Sequence, residues 1–204
     1  MQTMTSQAKA TTREMRRLQT RERVLSAALA EFKRSGMSGA DVNAIAAAAG
    51  VAHGTFFFHF PSKEHVLYEL ELREEARMAA DFERFLQGDH DLPSALTEIA
   101  RIIKGLEQSV GPVLFKELLA LHFSPTRPHA DDWTDHPVIV LLVREIERVR
   151  GDGSVHPEAD GFYSATFFLL GVYGVLTTTD SADKRDAMLT KLVDTAVRGI
   201  IKEV

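Results

Sequence analysis

The sequence predicts an all-α protein of about nine helices, in which a small N-terminal three-helix unit is joined by one long helix to a larger helical unit. Three observations predict it. Apolar residues recur at three- and four-residue spacing along most of the chain, and no run alternates in the manner of a strand. Glycine- and proline-containing stretches punctuate those runs at lengths that suit helices. Charge is divided unevenly: residues 1–65 carry nine Lys+Arg against five Asp+Glu, a net +4, while the rest carries 15 against 24, a net −9, together the −5 of the chain. A basic end on an acidic body points to a polyanionic partner at one end.

Residues 1–10 have no apolar periodicity and read as a flexible basic arm, counted as far as residue 19. Thr11 with Glu14 has capping-box spacing and Thr20 is a second cap, so the first helix begins at one or the other. Its apolar face is Val24, Leu25, Ala28, Leu29 and Phe32, and Gly36 and Gly39 break it. Asp41 caps a short helix that runs through Ile45 and Ala46 to Ala49, where Gly50 supplies the left-handed residue that ends it. A second short helix follows over about 52–58. Pro61 stops it, and Ser62 caps a long fourth helix from Lys63 to about Leu86. The three-helix unit is thus assigned to 20–67 and the second unit to 68–204. Further helices are expected at about 94–109, 113–123, 137–150, 158–178 and 184–203.

Cysteine is absent, which excludes disulfides, thiol catalysis and cysteine-ligated metals. No stretch approaches the length of apolar run that spans a membrane, and the N-terminus lacks a signal-peptide core, so a cytoplasmic protein without a membrane partner is expected. No nucleophile elbow, glycine-rich phosphate loop or paired helical His/Glu ligands occur. Neither an enzyme nor a cofactor is expected.

The informative segment is 41–60. Ala46, Gly50, Val51 and Phe56 stand at helix-turn-helix offsets: a small residue for close crossing, a glycine for positive φ in the turn, and two apolar plugs. An ordinary αα-hairpin uses the same small residues, and the offsets alone leave that alternative open.

The ordered pattern around those offsets goes further. Ile45-Ala46-x-x-Ala49-Gly50-Val51, then Gly54-Thr55-Phe56, then His59-Phe60-Pro61-Ser62-Lys63-Glu64, behind a first helix ending Glu31-Phe32, resembles the DNA-binding domain of the tetracycline-repressor (TetR) family. The resemblance implies a dimeric transcriptional regulator of double-stranded DNA, a repressor released from a palindromic operator by a small apolar ligand. Two alternatives share the fold: an activator, and a ligand-binding protein with weak or lost DNA binding.

The resemblance also places the contacts. His53, Gly54 and Thr55 open the helix that enters the major groove, Asn43 projects from the preceding helix, and His59, Lys63 and Arg21 are candidate phosphate contacts. Phe56 and Phe60 belong to the core. Three positions depart from the family's pattern: Phe57 stands where a phosphate-binding tyrosine is usual, Asp41 where a threonine is, and Ala52 where a capping serine is. Lys9, Arg13, Arg16 and Arg17 either supply flanking phosphate contacts or form a solvated tail.

In the second unit, residues 161–176 are apolar nearly all round, and the last helix has a broad apolar face. The resemblance makes these two helices the dimer interface, with Gly171, Gly174, Leu192, Ala196 and Ile200 in it. Phe115, Leu119, Phe123, Trp133 and Phe168 are the candidate lining of a ligand pocket, and the ligand expected there is apolar or aromatic with few polar handles. His122, His129 and His136 with Asp131, Asp132 and Asp135 lie in a Pro-rich stretch without metal-ligand spacing, and no metal site is assigned.

Overall fold

The computed structural model describes residues 12–125, 127–129, 133–151 and 153–202. Lys9, Thr11 and most of the basic arm lie outside the described residues, as do Asp131, Asp132 and the side chain of Trp133. The described residues form nine α-helices and one 3-10 turn: α1 (Thr12–Gly39), α2 (Val42–Ala48), α3 (His53–His59), α4 (Lys63–Leu86), α5 (Leu92–Val110), α6 (Pro112–His122), the turn Trp133–Asp135, α7 (Pro137–Gly151), α8 (Gly161–Thr178) and α9 (Ala182–Ile200). A single antiparallel bridge, Val155 to Ile201, is the only extended pairing among them. The all-α expectation holds. Residues 12–19, counted with the arm, are instead the first turns of α1.

The chain divides into two compact units, Met1–Leu67 and Tyr68–Val204. In the first, Val24, Leu25, Ala28 and Phe32 of α1 meet Ile45 of α2, Phe56 of α3, Phe60, and Val66 and Leu67 at the start of α4, all at or near zero exposure. Burying each such large side chain contributes about 1.5–3 kcal/mol. Gly36 interrupts α1 with φ 71° and ψ 161°, a conformation that favours glycine.

Local chemistry fixes the ends of α2. The Asp41 carboxylate accepts from the Asn43 N–H at 2.9 Å. At the other end Gly50 has φ 66°, its N–H reaches the Ala47 carbonyl at 3.1 Å, and the Val51 N–H reaches Ala46 at 3.0 Å. That pair of bonds is a Schellman motif, which satisfies carbonyls the helix would otherwise strand. Ala52 caps α3 without a side-chain hydrogen bond.

In the second unit Asp91 caps α5 by accepting from the Ser94 N–H at 2.9 Å, and Asp160 caps α8 by accepting from Tyr163. Gly111, with φ 87°, and Pro112 divide α5 from α6. The core gathers Phe82 of α4, Leu96, Ile99 and Ile103 of α5, Phe115 of α6, Leu142 and Ile146 of α7, and Val172 of α8. Two buried glutamates tie it together through ion pairs. His90 and Arg148 converge on the buried Glu145 at 3.2 and 2.6 Å, and Arg185 of α9 reaches Glu107 of α5 at 3.2 Å.

One expectation is corrected here. α8 holds 18 residues without an acidic or basic side chain, long and apolar enough by length and composition to cross a membrane. Its Gly, Ser, Thr and Tyr residues conceal this in a search for unbroken apolar runs. Ala165, Phe168, Val172 and Leu176 pack into the core, while Tyr163, Phe167, Leu170 and Gly174 are exposed.

Candidate DNA-binding surface and ligand cavity

α2, its Schellman turn and α3 present one polar and aromatic surface. Asn43, His53 and Gly54 are exposed and Thr55 is half-buried. A Cβ added at Gly54 would meet nothing within 4 Å, so no neighbour within the unit requires glycine there. Phe56 is fully buried and anchors α3, which leaves Phe57 outward at 45% exposure and Phe58 at 72%. The Phe57 ring lies 5.3 Å from the imidazole of His53. Phe58 was not singled out from the sequence; its signal was a third consecutive phenylalanine on a seven-residue helix with one buried face.

Three of the anticipated phosphate contacts are turned inward instead. The Lys63 ammonium donates to the carbonyls of Met37, Ser38 and Ala40 at 2.6, 3.2 and 3.3 Å, so its three N–H groups are spent on the C-terminal end of α1. A cation at a helix C-terminus is also favoured by the helix dipole. His59 is buried, and burial, followed by the positive charges of Arg21 and Arg17, pushes its pKa below the ordinary value. Arg21 donates from Nη1 to the His59 carbonyl at 2.6 Å and lays its guanidinium 4.1 Å from the centre of the Phe60 ring. The N-terminus of α4 already has an anion: the Ser62 hydroxyl and a main-chain N–H hold the Glu64 carboxyl below its usual range. Arg13, Arg16 and Arg17, by contrast, are exposed along the first turns of α1.

The second unit holds two small neighbouring cavities. One, of about 60 Å³, is bounded by α4, α5, α6 and α8 through Glu71, Glu75, Met78, Phe115, Leu119 and Tyr173 among others. The second, of about 110 Å³, is bounded by Phe123, His136, Thr166 and Leu170 and shares Glu75, His122 and Tyr173 with the first. Phe115, Leu119 and Phe123 therefore line cavities, whereas Phe168 is buried at 2% exposure and lines neither. The cavity walls also carry polar and charged groups. His122 Nδ1 lies 2.6 Å from Glu71, which also accepts from Arg127 at 2.9 Å, and His136 Nδ1 lies 3.2 Å from both oxygens of Glu75. The His122 and His136 rings are 5.1 Å apart. The His129 and Tyr68 rings lie 5.3 Å apart, tilted by 46°, and no group of three metal-binding side chains converges among the described residues.

Of the anticipated interface residues, Ile200 is buried within the chain and Gly171 packs on Leu192, whose Cδ1 would sit 2.8 Å from an added Cβ. Both thus make contacts within their own subunit. A Cβ added at Gly174 would meet nothing within 4 Å, and Leu192 and Ala196 are half-buried.

A helix-turn-helix with an outward-facing second helix, on an all-α chain with a separate helical unit, defines a DNA-binding transcriptional regulator. Residues 24–70 match the family of bacterial regulatory proteins described as the tetR family. The HTH-type transcriptional regulator UidR of Escherichia coli K12 is 25% identical over 185 residues, covering 89% of this chain and 93% of that protein. The probable acrEF/envCD operon repressor of the same strain is 33% identical over 91 residues, covering 44% of this chain and 40% of that protein. Thermus thermophilus FadR, a TetR-family repressor solved with lauroyl-CoA, superposes with a TM-score of 0.69 at 22% identity, covering 90% of this chain and 97% of that one. Residues 24–70 therefore carry a tetR-family DNA-binding domain, on a chain that is similar along 89% of its length to an HTH-type transcriptional regulator.

Proposed function

We propose that the protein is a repressor that binds a two-fold symmetric operator as a homodimer and leaves it when a small molecule occupies the cavities of its second unit. One observation carries this reading: α4 supplies Val66 and Leu67 to the core beneath the reading helix and, over the next three turns, Glu71, Glu75 and Met78 to the cavity wall. A ligand that displaces those wall residues acts on the same helix that seats the DNA-binding unit. A coupling of about 1–3 kcal/mol is typical of such linkage, and reciprocity requires DNA to weaken ligand binding equally.

In this proposal Asn43, His53, Gly54, Thr55 and Phe57 face the DNA, Gly54 lets the backbone approach closely, and Phe58 joins them. Phosphate attraction shifts from Lys63, His59 and Arg21 to Arg13, Arg16 and Arg17. The dimer forms through the outer face of α8, where Tyr163, Phe167, Leu170 and Gly174 recur at helical spacing, extended by Met188, Leu192 and Ala196 of α9. Analytical ultracentrifugation of the protein with DNA selected from a random pool tests the assembly. Two chains per selected duplex are expected, and one chain per duplex contradicts it.

A further inference from the structure

The two cavities that meet at Glu75 and Tyr173 are carboxylate-walled, and this sets the class of molecule they accept. We propose that the effector is a small organic cation, an apolar body carrying one protonated nitrogen, received by the Glu75 carboxylate. The inference rests on the proposed function only for its regulatory consequence; the binding stands alone.

Three observations carry it. First, Glu71, Glu74 and Glu75 line the cavities, and no lysine or arginine does so among the described residues. Glu71 is neutralised by the guanidinium of Arg127 and Glu74 by that of Arg77 at 2.5 Å, whereas Glu75 faces both cavities with the imidazole of His136 as its partner. A buried carboxylate is costly unless it meets positive charge, so a ligand cation gains where a neutral isostere does not and an anion is repelled.

Second, the hydroxyl of Thr166, on the wall shared by Glu75 and Tyr173, is buried with no hydrogen-bond partner among the described residues. A hydroxyl and a carboxylate on one cavity wall suit the several N–H donors of an ammonium group. Third, the rest of the wall is aromatic and aliphatic. The Phe115 and Tyr173 rings are 6.4 Å apart, and burial followed by the negative charges of Glu75 and Glu71 pushes the Tyr173 phenol above its ordinary pKa. Ring faces beside a desolvated cation add attraction. The acyl-CoA seen in Thermus FadR carries several negative charges and is the opposite of what this wall favours.

Calorimetry on the dimer without DNA tests the class with matched probes: benzylamine, 2-phenylethylamine and 4-phenylbutylamine, each against its alcohol and carboxylate of equal chain length, at pH 7.5. At least one amine is expected to bind about tenfold or more tightly than its two partners, as a charge-assisted hydrogen bond in a desolvated site implies. In Glu75→Gln, with cooperative melting verified, that preference falls to near parity. Thr166→Val, which keeps the shape, weakens the amine and spares the alcohol, and it decides the matter if Glu75→Gln does not fold. Carboxylates binding as well as amines, an amine preference that survives both substitutions, or no saturable binding by any amine up to millimolar concentration overturns the proposal. Gel shifts of selected operator DNA with the tightest amine form a separate arm. Tight binding there without release of DNA leaves the cation site standing and contradicts the regulatory reading alone.

Discussion

The ammonium of Lys63, at the start of α4, donates to the main-chain carbonyl of Met37 at 2.6 Å, closing the end of α1 onto the helix that follows the DNA-reading segment. Ser38 and Ala40 complete its partners. Removing the ammonium leaves three carbonyls at a helix terminus without it, so Lys63→Ala is expected to lower stability by about 1–3 kcal/mol. The slope of log Kd against log salt should stay unchanged, whereas Arg17→Ala, which removes one phosphate contact from each protomer of the dimer, should flatten it by about two. Denaturant titration and salt-dependent binding of the two variants check both. A flattened slope for Lys63→Ala would return that residue to the phosphates.

Phe57 faces solvent beside His53, so a hydroxyl added at its ring edge need not be buried. Phe57→Tyr should therefore leave the melting temperature nearly unchanged and strengthen DNA binding by about 0.5–1.5 kcal/mol. A phosphate carries no sequence information, so selected and random DNA should gain alike. Titration of both DNAs is the check, and unchanged affinity on each means that residue 57 does not reach the backbone.

Gly171 and Gly174 lie one turn apart on α8 and should behave oppositely. A Cβ at position 174 meets nothing within 4 Å on its own chain, so Gly174→Arg should fold normally yet sediment as a monomer and lose operator affinity. Gly171→Val forces Leu192 to move and should cost about 1–3 kcal/mol of the subunit's own stability. Sedimentation beside thermal melts separates the two, and a dimeric Gly174→Arg protein argues against the α8 interface.

His59 adds a pH dependence whose sign follows from its burial. Desolvation, then Arg21 and Arg17, depresses the folded-state pKa, while the unfolded imidazole returns to about 6.5. The unfolded chain therefore binds the proton more readily. The contribution of His59 is fully present above about pH 6.5 and is lost as pH falls from there through the folded-state value. Melting temperatures at pH 7.5 and 5.5 should show a smaller decline for His59→Gln than for the wild type. Equal declines would show that another group sets the acid response.

Much of the fold was legible because its signals are local. Asp41 and Gly50 begin and end α2 through atoms within a few residues, and spacing alone reveals such partners; Asp91 and Asp160, which cap α5 and α8 in the same way, were not singled out. The start of α1 stayed open because two caps competed. The inward turn of Lys63 was not legible: its partners lie 23 to 26 residues away, and only the meeting of α1 with α4 brings them together. Glu71 and Glu75 read as charges on a solvated helix face, since the histidines that make them a cavity wall are 51 and 61 residues distant. α8 hid its division of labour for another reason. A helix apolar all round carries no polar marker of which side meets its own core, so Gly171 and Gly174 looked equivalent.

Operator recognition is decided by binding to DNA selected from a random pool, titrated against salt beside an unselected duplex of equal length. A selected site with two-fold symmetry is expected, bound about 10³-fold or more tightly than the unselected duplex at physiological salt, with affinity falling steeply as salt rises. A pool that yields no enriched sequence, or equal affinity for both duplexes at every salt concentration, would contradict it.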